Sequence, residues 1–324
     1  MLTVLARVDA HALAVGGGVL GLLAVATVVG QVLRLRAGSD EARRTVENLN
    51  ARIYAWWAMA AVFGLAIAGG VGGACVLFGL ISFLALREMI TLTPTRRGDH
   101  HTLFWAFFAV VPIQYYAVYV GWYGFYSIFI PVYASLLIAV RSTLTGDYTC
   151  YMERVAKIQS AVMICVYAVS HAPAVLTLHP RGMAPGGQWR LLVFLVVVVQ
   201  LSDVLQYVWG KLLGRRPIAP HISPNKTWEG FIGGVATATL LAAALYRLTP
   251  FGPARAGLIG LVVCIVGFFG GIVMSAIKRD AGVKDFGHLI AGHGGMMDRV
   301  DSLSFAAPIF FHVVRYWYVD PVAV

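Results

Sequence analysis

Apolar runs of about 20 residues, each long enough to cross a hydrocarbon layer roughly 30 Å thick as a helix, follow one another along almost the whole of this chain. Inside such a layer every backbone N–H and C=O must be paired within the protein, which strongly restricts the admissible folds. The 324 residues are 59% hydrophobic with a mean hydropathy of +0.76, well above the roughly 45–50% apolar share of soluble domains. An all-α polytopic membrane bundle is therefore the expected fold, with little room for a soluble domain.

The runs place spans at approximately 11–33, 53–71, 72–91, 102–119, 122–140, 157–178, 190–212, 228–247, 255–277 and 301–319, ten in all. Two connections are tight glycine turns, around Gly69 to Gly73 and Gly121 to Gly124, so eight or nine spans are also compatible with the pattern. No internal repeat, low-complexity tract or Pro-rich linker interrupts the series. Residues 1–150 read as N-terminal transmembrane helices, and residues 151–324 as a C-terminal transmembrane region with polar loops.

Lys and Arg accumulate in short cytoplasmic loops, so their distribution orients the bundle. Of the 25 basic residues, 19 fall on one side: Arg34 to Arg52, Arg87 to Arg97, Arg141 to Lys157, Lys211 to Lys226 and Lys278 to Arg299. Only Arg7, Arg181, Arg190, Arg247, Arg255 and Arg315 fall on the other. Both termini are expected outside and the basic loops inside, in a bacterial inner (plasma) membrane. Arg7 before the first run, with Arg34 and Arg36 after it, suits an uncleaved anchor with its N-terminus outside. The net charge of +10 follows from this loop bias and from anionic headgroups, and no nucleic-acid partner is expected. Cys75, Cys150, Cys165 and Cys264 lack metal spacing and read as unpaired. Tyr54, Trp56, Trp57, Trp122, Tyr123, Trp228, Tyr316, Trp317 and Tyr318 lie at span ends, as an interfacial belt would.

Three polar constellations stand out against the hydrocarbon. Asp203 sits inside an apolar run about 12 Å along a helix axis from Lys211, at 1.5 Å per residue. An acid there costs roughly 2.5–3.5 kcal/mol on insertion scales and must face the bundle interior with a partner. Gln200, Ser202, Gln206 and Tyr207 add polarity near it, and a purely structural hydrogen-bonded acid is the plain alternative. The second constellation is the loop from Gly214 to Gly230, whose prolines are expected to break both helix and strand. It presents Ser223, Asn225, Lys226 and Thr227; Asn225 or Thr227 would cap the helix opening at Trp228, and a helix N-terminus beside a lysine suits phosphate.

The third, Ser275 to Asp301, gathers Lys278, Arg279, Lys284, Asp285, His293, Asp298, Arg299 and Asp301 in one connection between apolar runs. Gly294 and Gly295 after His293 would admit a phosphate close to the backbone. Asp298 and Asp301, three apart on a helix, are neighbours at roughly 5–6 Å between Cβ atoms. With Asp285 they would hold Mg²⁺, which takes one or two carboxylates, water and phosphates, and a two-metal version would clamp an in-line displacement at phosphorus with ions about 4 Å apart. His171 and His312 read as core histidines, Asp280, His288, His100 and His101 as surface residues. Glu88 reads as an ion pair with Arg87, or as a residue lining the cavity.

The pattern Ser-x-x-Lys-Arg-x₄-Lys-Asp-x-Gly-x₅-His-Gly-Gly-x-x-Asp-Arg-x-Asp, from Ser275 to Asp301, resembles the signature of the CDP-diacylglycerol synthase (phosphatidate cytidylyltransferase) family. Ser-Pro-x-Lys-Thr-Trp-Glu-Gly at Ser223 to Gly230 and the intramembrane Asp203 resemble it too. The likeness covers roughly residues 195–305; residues before it match only as generic membrane helices. Ala291, Gln206-Tyr207, Gly210-Lys211 and Arg215-Arg216-Pro217 depart from the usual family residues, as a divergent paralogue's would.

The resemblance implies that CTP and phosphatidate give CDP-diacylglycerol and pyrophosphate, with Mg²⁺, as one ion or two, and a homodimer. It implies catalytic roles for Asp203, Lys226, Lys278, Arg279, Lys284, Asp285, His293, Asp298 and Arg299. Ser223, Asn225, Lys226, Thr227, Gly294 and Gly295 would bind nucleotide, and Asp203, Asp285, Asp298 and Asp301 would hold metal. Small residues such as Gly267, Gly270 and Gly271 would permit the close helix packing of a dimer. Two other readings stay open: a CTP-dependent transferase acting on another lipid phosphate or a prenol, and a transporter. The second would want more than one acid deep in the spans.

Overall fold

A computed structural model describes residues 10–36, 38–93, 95–287 and 294–320. Among these, ten helices follow one another: α1 (Ala10–Arg36), α2 (Asp40–Ala68), α3 (Gly70–Thr91), α4 (Asp99–Tyr119), α5 (Tyr123–Thr143), α6 (Tyr151–Thr177), α7 (Trp189–Leu213), α8 (Trp228–Leu248), α9 (Pro253–Asp280) and α10 (Met297–Tyr318). All but α10 have the length and apolar content of a membrane span. The chain is an all-α polytopic membrane protein, and the expected spans recur with shifted ends.

The largest shift is in α2, which starts at Asp40 rather than near residue 53. Ser39 Oγ accepts the Ala42 N–H at 3.2 Å, and Asp40 and Glu41 stand in the first turn, where acids favour the helix dipole. Capping thus extends the helix through a charged stretch that hydropathy alone leaves out. α4, α5 and α6 each contain a π segment, at Ala106–Val110, Phe129–Ala134 and Met163–Ala168.

One expectation for the loop after α7 is corrected. Its prolines do not prevent strands: β1 (Pro217–Ala219) and β2 (Ser223–Thr227) form an antiparallel hairpin pairing Pro217 with Thr227 and Ala219 with Ser223. Pro217 opens its strand and both strands are edges of a two-stranded sheet, where a missing N–H is tolerated. Thr227 then ends β2 and caps α8, its Oγ1 accepting the Gly230 N–H at 3.2 Å.

The core is formed by residues of α3 to α10, while α1 and α2 bury little of themselves. α10 lies at its centre, against α3, α6, α7 and α9. The face of α9 expected to pack on a second chain is filled from within. A side chain at Gly267 would meet Ser302, one at Gly270 would meet Phe305 at 2.7 Å, and one at Gly271 would meet Lys226. The four cysteines are free, three buried and Cys150 exposed. His171 is a core histidine as expected, its Nδ1 2.8 Å from the Tyr167 carbonyl and its ring against Tyr167 and Phe311. His312 is exposed.

Between α4 and α6 the polar contacts are structural. Arg154, buried, pairs with Asp99 at 3.0 Å and with Asp147 at 2.9 Å, and donates to the Thr149 carbonyl. Asp147 also meets Arg96 at 3.4 Å. Two acids and two bases cancel, so this network ties loops together and leaves no net charge for a ligand.

Candidate active site

The acid in α7 meets the acids of α10 at the basic end of the bundle. Asp203 and Asp301 are joined through Ser302, whose Oγ donates to Asp203 Oδ1 at 3.1 Å and whose backbone N–H donates to Asp301 Oδ1 at 2.7 Å. One oxygen of each carboxylate is thereby fixed. Both side chains are half-buried.

Lys226 enters the same space from β2. A methyl group on Gly271 would fall 2.5 Å from Lys226 Nζ, 3.6 Å from Ser302 Oγ and 3.8 Å from Asp301 Oδ2, so these three groups surround the room left by the missing side chain. The absence of a Cβ on α9 is what lets the lysine in. Its ammonium lies 4.9 Å from the centroid of the Phe268 ring and 3.5 Å from the Phe268 carbonyl. Burial lowers the Lys226 pKa from the ordinary lysine value, and the carboxylates of Asp301 and Asp203 offset part of that. Lys278 stands close enough to lower it further.

Asp298, one turn earlier on α10, is fully engaged. Its Oδ1 accepts Lys278 Nζ at 2.7 Å, and its Oδ2 accepts the N–H groups of Phe286 at 2.9 Å and Gly295 at 3.0 Å. It therefore organises the loop between α9 and α10 and anchors a lysine. Gly294 beside it has φ of +79°, and a side chain there would crowd Asp298 Oδ2 at 3.0 Å. Both constraints call for glycine.

The remaining expected residues are distributed around this centre. Arg299 donates nothing from Nε among the described residues, its carbonyl accepts Gln200 Nε2 at 3.4 Å, and its charge acts on Asp203. Arg279 donates to the Ile222 carbonyl at 3.2 Å and the Val283 carbonyl at 3.0 Å, tying the hairpin to the loop after α9. Lys284, Asp285 and Asn225 are exposed, and Ser223 is half-buried. Glu229 accepts the N–H groups of Arg215 and Arg216 at 3.0 and 3.2 Å, closing the turn after α7. His293 and His288 lie outside the described residues.

The four carboxylates expected to share metal are not gathered into one cluster. Among the described residues no three His, Cys, Asp or Glu side chains come together with metal-ligand spacing. Asp203 and Asp301 converge; Asp298 is taken by Lys278 and backbone N–H groups, and Asp285 is exposed beside Gly294. The donor set that remains, the Oδ2 atoms of Asp203 and Asp301, fits a hard divalent cation completed by water and phosphate oxygens.

Two contributors lack a sequence signal of their own. Ser302 looks like any serine of an apolar helix, although its place directly after Asp301 puts it beside the site. Glu88 does not pair with Arg87, which is exposed; of its two expected places it takes the one beside the site, where its oxygens accept the N–H groups of Met296 at 2.8 Å and Met297 at 2.9 Å.

The profile of the Cytidylyltransferase family matches residues 50–317. The chain is 38% identical to the Escherichia coli protein named "Uncharacterized protein YnbB" over 298 residues, 91% of this chain and 95% of that protein. It is 42% identical over 127 residues to the phosphatidate cytidylyltransferase of Aquifex aeolicus, 39% of this chain and 47% of that enzyme. With the phosphatidate cytidylyltransferase of Synechocystis the figures are 40% over 138 residues, 42% and 46%. The match thus spans less than half the length of either of these two enzymes.

Proposed function

The chain belongs to the cytidylyltransferase family, and from that premise we propose that it transfers the cytidylyl group of CTP to phosphatidate, giving CDP-diacylglycerol and pyrophosphate. An oxygen of the lipid phosphate attacks the α-phosphorus of CTP; the new P–O bond forms as the bond to the bridging α–β oxygen breaks. The electron pair leaves with pyrophosphate. Phosphatidate is already an anionic nucleophile at neutral pH, so the reaction needs no serine or cysteine nucleophile. The difficulty is bringing two anions together and neutralising the charge that develops on the leaving group.

The observation that carries this reading is the convergence of Asp203, Lys226, Lys278, Asp298 and Asp301 from four separate elements at one end of the bundle. Lys226 would bind a phosphoryl oxygen and counter negative charge in a partly buried setting, where such interactions exceed their value in water. Lys278, held by Asp298, and Arg299 would hold the triphosphate. Gly294 and Gly295 would admit a phosphate close to the backbone. Mg²⁺ on Asp203 and Asp301 would supply charge neutralisation for the triphosphate.

The basic end would face the cytoplasm, where CTP is found, with both termini outside. Asp203 below that surface would let a lipid headgroup enter sideways from the leaflet. A homodimer would have to use a face other than Gly267, Gly270 and Gly271, which pack within the chain.

The test is pyrophosphate release from CTP by purified protein in detergent, with and without Mg²⁺ and a range of phosphatidic acids. Release that requires both supports the reading. Release with a prenol or another lipid phosphate, and none with phosphatidate, would move the enzyme to the neighbouring substrate class.

A further inference from the structure

We infer that Glu88 is a positioning residue for the transfer reaction, acting from α3 on the first turns of α10. The inference rests on the function proposed above. A helix begins with backbone N–H groups that have no partner inside the helix. At α10 the local sequence does not supply a side-chain cap, because the capping position is Met296. Glu88, more than 200 residues earlier in the chain, fills that role. Its Oε1 accepts the Met296 N–H at 2.8 Å and its Oε2 accepts the Met297 N–H at 2.9 Å. A carboxylate at this point also meets the positive end of the helix dipole.

The backbone closes around the carboxylate. A Cβ on Gly287 would come within 2.9 Å of Glu88 Oε1, and one on Gly295 would collide with Oε2. Both glycines leave the room that Glu88 occupies. The adjoining residue, Gly295, gives its own N–H to Asp298. Three successive N–H groups at this helix start, from Gly295 to Met297, are therefore shared between Asp298 and Glu88. Fixing them fixes the rotation of α10 about its axis, and with it the direction in which Asp298 meets Lys278 of α9 and Ser302, next to Asp301, meets Asp203 of α7. Residues one turn apart on a helix move as a unit, so Glu88 sets the geometry of both acids without touching the substrate.

The consequence is a division of labour within the chain. α3 lies outside residues 195–305, whose motifs carry the resemblance, though within the family profile from residue 50, and it supplies the group that holds the acidic helix in register.

The experiment compares purified wild-type protein with Glu88→Gln and, as a control, with Arg87→Ala at the exposed neighbouring position. Glutamine keeps the shape but offers an amide where one N–H needs an acceptor. Amide hydrogen exchange across Met296 to Asp298 is read together with pyrophosphate release. Glu88→Gln is expected to exchange faster at these amides, to lose kcat by about 10–100-fold, the range for partners that orient functional groups, and to raise half-saturating Mg²⁺. The KM for phosphatidate should stay within about twofold. Arg87→Ala should match wild type in all four readouts. If Glu88→Gln cannot be purified folded, Gly287→Ala, which brings a methyl group within 2.9 Å of Glu88 Oε1, should produce the same pattern.

Unchanged exchange at the α10 amides, or faster exchange with wild-type kcat and Mg²⁺ midpoint, overturns the positioning role. Wild-type protein that releases no pyrophosphate with any phosphatidate overturns the reading in the previous subsection instead. Exchange measured with and without Mg²⁺ and CTP then decides the role of Glu88 without turnover.

Discussion

The two ends of α10 carry polar groups of different kinds and organise them differently. At its start, Asp298 accepts Lys278 of α9 and the N–H groups of Phe286 and Gly295, Asp301 lies beside Lys226 and accepts the Ser302 N–H, and Glu88 of α3 accepts the first N–H groups of the helix. At its far end, Arg315 lies 3.6 Å over the Tyr123 ring, His312 is exposed, and His171 nearby keeps Nε2 without a partner among the described residues. The first end converges charges of opposite sign from distant segments. The second settles one cation on an aromatic face, an arrangement that anchors a helix end at an interface. Polarity in a membrane helix thus marks function when several elements supply it to the same point.

That contrast is broken most directly at the joined acids. Asp203→Asn and Asp301→Asn should each lower kcat by about 10²–10³-fold or more, as the removal of a group that stabilises the transition state does, with pyrophosphate release as the readout. Full activity and unchanged Mg²⁺ dependence in either variant would leave the acids a structural role only. Lys226→Met should come next, with a loss of about 10²-fold and a weaker response to CTP concentration in steady-state kinetics. Gly271→Ala should act in the same direction, because its methyl group takes the place of the Lys226 ammonium; a variant as active as wild type would show that the lysine works from another position.

A smaller effect is expected where only local structure is at stake. Thr227→Ala removes the cap of α8 and should destabilise the protein by about 1 kcal/mol, seen as a lowered thermal midpoint. At the opposite end, Arg315→Met should cost about 0.5–1 kcal/mol of cation–π attraction and leave pyrophosphate release within twofold of wild type. A large activity loss there would erase the distinction between the two ends.

Much of the fold is legible in the chain because hydrocarbon length and helix rise are fixed quantities. The ten apolar runs become ten helices, and Thr227 caps α8 as its place before Trp228 suggests. The expectations that fail are those in which context outweighs composition. Residues 40–52 look too charged for a span yet extend α2, since capping at Ser39 and a helical register need no apolar face. The prolines at 217 and 224 fit into β-strands because a two-stranded hairpin is all edge. The glycines of α9 look like a dimer seam and instead admit Lys226 and the side chains of α10.

For the site, the sequence by itself determined which residues carry charge: an acid buried in α7, a lysine after a proline-rich turn, and a dense cluster before α10. Their rarity in an apolar chain is enough, since desolvated charge persists only where something requires it. Only the tertiary structure decided how they divide the work. It joined Asp203 to Asp301 through Ser302, gave Asp298 to Lys278 and the backbone, left Asp285 exposed, and brought Glu88 from the first third of the chain to cap α10. Hydrogen bonds act over about 3 Å, while the groups that make these bonds are as many as 209 residues apart, and the order of residues along a chain does not encode such proximity.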